Sequence, residues 1–153
     1  MPTKSLNVGI GGLGAIGMAV VRALDDGVEG LRLAAVASRD PDKARQQVAG
    51  MDSSPRVVEA PALAEHADIV VECAPSSAFD AIAENAVAQG RIFIPSSVGA
   101  LLTRDALIER ARQTGARIVV PTGALLGLDA VRAASEGGIN SVTMVTRKPP
   151  GGL

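Results

Sequence analysis

Residues 6–17 read Leu-Asn-Val-Gly-Ile-Gly-Gly-Leu-Gly-Ala-Ile-Gly, in which Gly12, Gly14 and Gly17 fit the pattern G-x-G-x-x-G. An apolar alternation precedes these glycines, and a run with helical periodicity, residues 15–24, follows them. A strand, a turn and a helix are the setting in which this pattern binds a dinucleotide. Gly12 permits the tight turn, Gly14 lets a pyrophosphate approach the backbone, and Gly17 lets the helix pack closely on the strand. The phosphates are then expected at the positive N-terminal end of the helix.

Short β-rich runs alternate with helix-like runs along the chain. The predicted strands cover residues 6–10, 31–37, 56–59, 68–74, 91–95, 117–120 and 141–146. The predicted helices cover residues 15–24, a run from Pro41 toward Gly50 capped by Asp40, residues 79–89, a run to residue 114 capped by Thr103, and residues 129–136. This alternation predicts an α/β fold with a doubly wound parallel sheet and right-handed crossovers, the Rossmann fold.

The last predicted strand, residues 141–146, is followed only by a proline- and glycine-rich segment, residues 147–153. A strand with no element after it needs a pairing partner or forms an exposed edge. We interpret it as the first strand of a second, truncated domain. The predicted organisation is therefore a dinucleotide-binding domain over residues 1–138 and the start of a second domain over residues 139–153.

The composition excludes several classes of function. The chain has 153 residues, a net charge of −1 and 20% charged residues, so it has no basic field for nucleic acid or a membrane surface. Aromatic residues make up 1% of the chain, which leaves no platform for stacking bases. The single cysteine, Cys73, fits a reducing compartment, and we predict a cytoplasmic protein. No cluster of residues has metal-ligand spacing, so we predict no metal site.

The segment after the second strand bears on the choice of cofactor. Folds that prefer NAD usually place an acid there to bind the ribose 2′-hydroxyl group. This chain has Ser38 at that place, followed by Arg39. A small hydroxyl beside a guanidinium suits a 2′-phosphate, so the sequence favours NADP, or use of both NADP and NAD. Alternatively, Asp40 caps the next helix and Arg39 is merely solvated, and both interpretations can hold together.

The other strand ends carry small residues that suit a ligand edge. Residues 74–77, 95–100 and 121–125 follow successive predicted strands, where ligands of open α/β sheets bind, although turns and helix caps explain such residues as well. Cys73 fits a buried small apolar residue better than a nucleophile. The only histidine, His66, precedes a strand and should lie at the opposite, amino edge of the sheet, away from the site. We therefore predict no catalytic residue within these 153 residues.

Several motifs together resemble those of the L-aspartate dehydrogenase family, over the whole length of the chain. They are Gly-Ile-Gly-Gly-Leu-Gly-Ala-Ile-Gly (9–17), Val-Val-Glu-Cys-Ala (70–74), Ser-Val-Gly-Ala-Leu (97–101), Pro-Thr-Gly-Ala-Leu-Leu-Gly-Leu-Asp-Ala (121–130) and Thr-Arg-Lys-Pro-Pro (146–150). The resemblance implies a Rossmann domain followed by an α+β domain that completes the active site and builds a homo-oligomer. It implies oxidation of L-aspartate to iminoaspartate with NAD or NADP, as in pyridine-nucleotide synthesis.

The resemblance also implies specific cofactor contacts. The pyrophosphate is expected on Gly12, Gly14, Ala15 and Ile16. The nicotinamide side is expected on Ala74, Ser97 and Gly99, and Gly123 and Ala124 are expected to meet the cofactor through their backbone. The family's catalytic histidine lies in its second domain, and His66 does not match it. The resemblance thus predicts a cofactor-binding part that is inactive alone.

Two other functions are compatible with the same residues. One is a non-catalytic Rossmann module that senses the redox state of NAD(P) and passes it to a partner. The other is an oxidoreductase of similar layout, like dihydrodipicolinate reductase or homoserine dehydrogenase. Substrate screening separates the second from an aspartate dehydrogenase.

Overall fold

The computed structural model describes residues 5–122, 127–145 and 147. By contacts between Cα atoms the chain divides into two compact units, residues 1–121 and 122–153. The predicted division at residue 138 into a cofactor domain and the start of a second domain stays a prediction. None of the described helices has the length and apolar character needed to cross a bilayer.

The first unit holds a parallel sheet of six strands in the order β3-β2-β1-β4-β5-β6. The strands are β1 (Leu6–Gly11), β2 (Leu31–Ala37), β3 (Arg56–Val58), β4 (Ile69–Glu72), β5 (Ile92–Pro95) and β6 (Arg117–Ile118). The order reverses between β1 and β4, which places a crevice beyond the carboxyl ends of these two strands. The predicted doubly wound α/β fold is confirmed.

Helices connect the strands. They are α1 (Ala15–Asp25), α2 (Pro41–Val48), α3 (Leu63–His66), α4 (Phe79–Ala88) and α5 (Asp105–Thr114) in the first unit and α6 (Leu128–Ser135) in the second. Short 3₁₀ segments cover Ala60–Ala62, Ser76–Ala78 and Val98–Thr103. Asp40 caps α2 as predicted, because its Oδ1 accepts a hydrogen bond of 3.0 Å from the N–H of Lys43.

Each face of the sheet has its own apolar core. On one face, residues of β1 and β2 pack against α1 and α2, and the core includes Ile10, Val21 and Leu33. On the other face, α3, α4 and α5 cover the sheet, and the core includes Phe79 and Phe93. The two rings are fully buried and meet edge to face, with centroids 5.8 Å apart.

The structure corrects three expectations about elements. Residues 141–145 form no strand, since no described residue offers them a neighbouring strand with which to share backbone hydrogen bonds. The predicted second domain that this strand would begin stays a prediction. Thr103 does not cap α5, because the 3₁₀ segment runs through it and the helix begins at Asp105. The strand predicted over 117–120 is shortened to β6, which lies at the edge of the described sheet and pairs there with the start of β5.

Because Phe79 and Phe93 are the only aromatic residues of the chain, their contact is a sensitive test of the second core. Phe93→Ala is expected to lower the free energy of unfolding by about 3–5 kcal/mol, through lost burial and a cavity that the sheet cannot close. Leu102→Ala, at a side chain that is 85% exposed, is the control and should change it by less than about 0.5 kcal/mol. Urea denaturation measures both values, and equal effects would contradict this packing.

Candidate functional site

The turn between β1 and α1 lies directly against the end of β4. Gly12 has φ of +99°, and its N–H donates to the carbonyl oxygen of Ala37 at 2.8 Å. A Cβ on Gly12 would lie 2.5 Å from the carbonyl oxygen of Cys73 and 2.7 Å from the Cα of Ala74. Both the positive φ and the lack of space require glycine at this position.

The first turn of α1 packs just as closely on the glycine turn itself. A Cβ on Gly17 would lie 1.8 Å from the carbonyl oxygen of Gly12 and 3.4 Å from the Cβ of Cys73. Any side chain here would push α1 away from β1 and β4. Gly17 therefore fixes where the N-terminus of α1 points.

Gly14, Ala15 and Ile16 form an exposed surface at that N-terminus. A Cβ on Gly14 would meet no heavy atom within 4 Å, and the Ile16 side chain is 62% exposed. Gly14 is the N-cap residue and supplies no side-chain hydrogen bond, and the first turn of α1 contains no acidic residue. The first N–H groups of a helix lack intrahelical partners, so this surface can receive an anion.

The segment after β2 lies at the same edge of the sheet. Ser38 is half-buried and Arg39 is exposed. Arg39 has no ion pair or side-chain hydrogen bond with any other residue in the described part of the chain. The carboxylate of Asp40 is engaged with the start of α2, so no free acid takes the place of the usual ribose ligand. The cap at Asp40 and a solvated Arg39 thus occur together.

Glu72 is the last residue of β4. Among the described residues it is the one charged residue that is buried, with an exposure of 0%. Its Oε1 accepts from the N–H of Ala74 at 2.9 Å and from the Oγ of Ser97 at 3.1 Å. Its Oε2 accepts from the N–H of Ser97 at 3.0 Å. One carboxyl group therefore holds the loop after β4 to the loop after β5. Because Glu72 binds the N–H of Ala74, the chain leaves the sheet earlier than the predicted strand end at residue 74.

The residues predicted for the nicotinamide side are placed as follows. Ala74 and Ser97 are half-buried and are brought together by Glu72. Gly99 is exposed within the 3₁₀ segment Val98–Thr103, with open space where a Cβ would be. Gly123 and Ala124 lie outside the described residues.

Cys73 lies between the glycine turn and the loop after β5. Its Sγ is 3.3 Å from the Oγ of Ser96, and the residue is half-buried. Burial raises the pKa of the Cys73 thiol, the hydrogen bond with Ser96 opposes that shift, and the charge of Glu72 adds to it. A thiol held protonated in this way is a packing group and a poor nucleophile.

His66 ends α3 and lines a cavity with residues at the beginnings of the strands, as expected for the amino edge. It is the only histidine of the sequence. No group of three or more His, Cys, Asp or Glu residues in the described part of the chain could hold a metal ion.

Glu72 is the site residue that sequence reasoning missed. Its signal is a carboxylate at the end of the apolar run Ile69-Val70-Val71, just before small residues. A charged side chain inside a run that should be buried on both faces calls for nearby hydrogen-bond donors.

A glycine turn and an open helix N-terminus at the switch point of a β3-β2-β1-β4-β5-β6 sheet define the class of dinucleotide-binding Rossmann domains. The family model "Homoserine dehydrogenase, NAD binding domain" matches residues 12–121, and the chain belongs to this family. The family and the fold support NAD or NADP as the cofactor.

Curated relatives are more specific. The chain is 54% identical over 151 residues to L-aspartate dehydrogenase of Bradyrhizobium diazoefficiens, which covers 99% of this chain and 54% of that protein. It is 47% identical over 151 residues to L-aspartate dehydrogenase 3 of Bordetella bronchiseptica, covering 98% of this chain and 56% of that protein. The resemblance predicted from the motifs is confirmed. The chain spans about half the length of the curated relatives it matches.

Solved structures show the same fold. An NAD binding oxidoreductase from Klebsiella pneumoniae aligns with a TM-score of 0.68 at 21% identity, covering 89% of this chain and 40% of that one. The WlbA dehydrogenase from Bordetella pertussis, solved with NADH and UDP-GlcNAcA, aligns with a TM-score of 0.69 at 18% identity, covering 88% and 44%.

Substitution of two glycines of the turn by alanine is expected to change stability by very different amounts. Gly17→Ala is expected to lower the free energy of unfolding by about 3 kcal/mol or more, because its Cβ would overlap the Gly12 carbonyl oxygen. Gly14→Ala, in open space, should change it by less than about 1 kcal/mol. Urea denaturation of the two variants decides, and a fully stable Gly17→Ala variant would contradict the close packing.

Replacement of Glu72 tests its role between the two loops. Glu72→Gln should cost about 1–3 kcal/mol, since the amide NH₂ group would face N–H donors and leave a buried group unsatisfied. Hydrogen exchange at the amides of Ala74 and Ser97 should accelerate. Glu59→Gln, at an exposed position, is the matched control and should change neither quantity. Unchanged exchange at both amides in Glu72→Gln would show that the carboxyl group does not hold the loops.

Proposed function

We propose that the chain is the cofactor-binding part of an NAD(P)-dependent L-aspartate dehydrogenase. The observation that carries the proposal is the open surface at Gly14, Ala15 and Ile16 at the N-terminus of α1, where free N–H groups meet no acidic side chain. The likeness to the L-aspartate dehydrogenases of Bradyrhizobium diazoefficiens and Bordetella bronchiseptica supports the choice of substrate.

The cofactor fits the residues present. Because Gly12 and Gly17 have no side chains, the turn and the start of α1 pack closely on the end of β4. The missing Cβ of Gly14 leaves room for a pyrophosphate group to contact the backbone. The dipole of α1, 11 residues long, favours the negative charge. An oxidised nicotinamide cofactor held there would supply the hydride acceptor for oxidation of the amino acid at its Cα.

The remaining predicted contacts follow from the same edge of the sheet. Ser38 and Arg39 meet the ribose 2′ position, where the free guanidinium favours a phosphate, so we propose NADP in preference to NAD. Ala74 and Ser97, held together by Glu72, form the wall for the nicotinamide half, and Gly99 continues it. We propose backbone contacts from Gly123 and Ala124 on the strength of the family resemblance.

These 153 residues alone are proposed to bind the cofactor without oxidising aspartate. Their only histidine, His66, lies at the amino edge, far from the proposed cofactor contacts along the strands. A base that keeps the substrate amine neutral is needed beside the nicotinamide ring. We also propose a cytoplasmic location and a homo-oligomeric enzyme, as the single cysteine and the resemblance indicate.

Cofactor titration tests the site and the preference. Binding of NADPH and NADH should raise the fluorescence of the reduced nicotinamide, with no tryptophan or tyrosine in the chain to interfere. Arg39→Ala should weaken NADPH binding about tenfold, since it removes a charged hydrogen bond to the 2′-phosphate, and should leave NADH binding nearly unchanged.

Two control variants sharpen this test. Arg45→Ala removes an exposed arginine that pairs with Asp42 on α2, and it should bind both cofactors normally. Gly14→Val should abolish binding of both, because its side chain would occupy the pyrophosphate surface. Equal effects of Arg39→Ala on the two cofactors would refute the preference, and normal binding by Gly14→Val would refute the site.

The substrate is tested with a chimera that joins residues 1–153 to the remaining part of the Bradyrhizobium diazoefficiens relative. L-Aspartate should reduce NADP in the chimera and not in the 153 residues alone. L-Homoserine is the competing substrate, since the matching family model carries that enzyme's name. Reduction of NADP with L-homoserine and not with L-aspartate would favour an oxidoreductase like homoserine dehydrogenase. Cofactor binding without any turnover in the chimera would favour a sensing module.

A further inference from the structure

We propose that the amino edge of the sheet holds a second binding site, for a compact oxyanion with two negative charges, formed by Arg32, Arg56 and Arg91 around a cavity beside His66. This site is independent of the proposed dehydrogenase function. It lies within the first unit, at the edge of the sheet opposite the glycine turn. Its residues precede or begin strands, whereas the glycine turn follows the carboxyl end of β1.

The cavity has a volume of about 340 Å³. The start of β1 contributes Asn7, the start of β2 contributes Arg32, and β3 begins with Arg56. Arg91 directly precedes β5, and His66 lines the cavity from the end of α3. Pockets for small molecules usually measure about 300–1,000 Å³, so this volume suits a ligand of few atoms.

An irregularity in the sheet brings the arginines to one face. The register of β1 with β2 shifts between Val8 and Gly9, so that Val8 pairs with Leu33 and Gly9 with Ala35. As a result Leu33 packs in the core of α1 and α2, whereas Ala35 packs in the core of α3 and α4. In a regular strand, residues two apart such as Leu33 and Ala35 would face the same side of the sheet.

The alternation of side chains then places two arginines together. Arg32 is adjacent to Leu33 and so faces the α3 side, and Arg56 pairs with Ala35 and faces the same side. Both side chains converge on the cavity beside His66. The bulge thus turns guanidinium groups from two neighbouring strands toward one space.

The acidic residues at the cavity do not neutralise these arginines. The Oδ2 of Asp68 accepts from the N–H of Asn7 at 2.9 Å, and its Oδ1 lies 3.8 Å from the Nη1 of Arg91. Glu65 is exposed at the rim. Three arginines against these two carboxylates leave one positive charge in excess. Within the described residues, neither Arg32 nor Arg56 has a carboxylate oxygen within 4.0 Å.

Arg91 contributes the third guanidinium of the cavity. Its Nε is buried and has no hydrogen-bond partner among the described residues. A guanidinium offers its terminal N–H groups as a planar fork to a carboxylate or a phosphate. An oxyanion in the cavity would meet the charges of Arg32, Arg56 and Arg91 at once.

Phosphate and dicarboxylate groups share this chemistry, so two probes are needed. The Nε–Hε signals of the arginines are followed by NMR while inorganic phosphate or, in a second arm, malonate is added at constant ionic strength. The Arg91 signal should shift and saturate with at least one probe. Tighter binding of phosphate would assign a phosphate-bearing ligand, and tighter binding of malonate a dicarboxylate.

Variants locate the bound anion. Arg91→Lys and Arg32→Gln should each weaken binding about tenfold, whereas Arg45→Gln, on the exposed face of α2, should leave it unchanged. Amide signals of Ala15 and Ile16 report any anion at the glycine turn instead. Saturation seen only at those amides, a linear response of Arg91, or equal affinity in all variants would overturn the proposal. Because Arg32 is exposed, Arg32→Gln is expected to fold, so its affinity can be measured even if Arg91→Lys does not fold.

Discussion

The close approach of α1 to the glycine turn is the constraint on which the rest of the site depends. A single Cβ on Gly17 would lie 1.8 Å from the carbonyl oxygen of Gly12, and one on Gly12 would lie 2.5 Å from that of Cys73. These contacts place the N-terminus of α1 beside the end of β4, at the point where the strand order reverses. Helix dipole, free N–H groups and bare backbone therefore share one place, which is the combination that suits a pyrophosphate.

Glu72 extends this arrangement across the sheet. Its carboxyl group joins Ala74, which touches the glycine turn, to Ser97 in the loop after β5. The two ends of the proposed cofactor surface are thus connected by hydrogen bonds inside a buried environment, where they hold loops firmly. The opposite edge of the sheet has a different electrostatic character, with unneutralised guanidinium groups around a cavity. We therefore propose one sheet with an anion-binding surface at each end of its strands.

Periodicity and glycine spacing were enough to predict most of the fold, since the strands of a parallel sheet are buried apolar runs and the glycines mark the first turn. Local pattern could not find α3, Leu63–His66, which is too short to show a period. It also mistook residues 141–145 for a strand, because β-propensity does not supply a pairing partner. Glu72 was missed because one of its partners, Ser97, comes from a loop that follows a different strand. The individual cofactor contacts remain predictions.

The most direct measurement is a crystal structure of the chain grown with NADPH. The account predicts the pyrophosphate against the backbone of residues 12–17 and the 2′-phosphate near Arg39, with the glycine turn unchanged. A cofactor bound elsewhere, or a turn whose own atoms fill the space above Gly14, would contradict it.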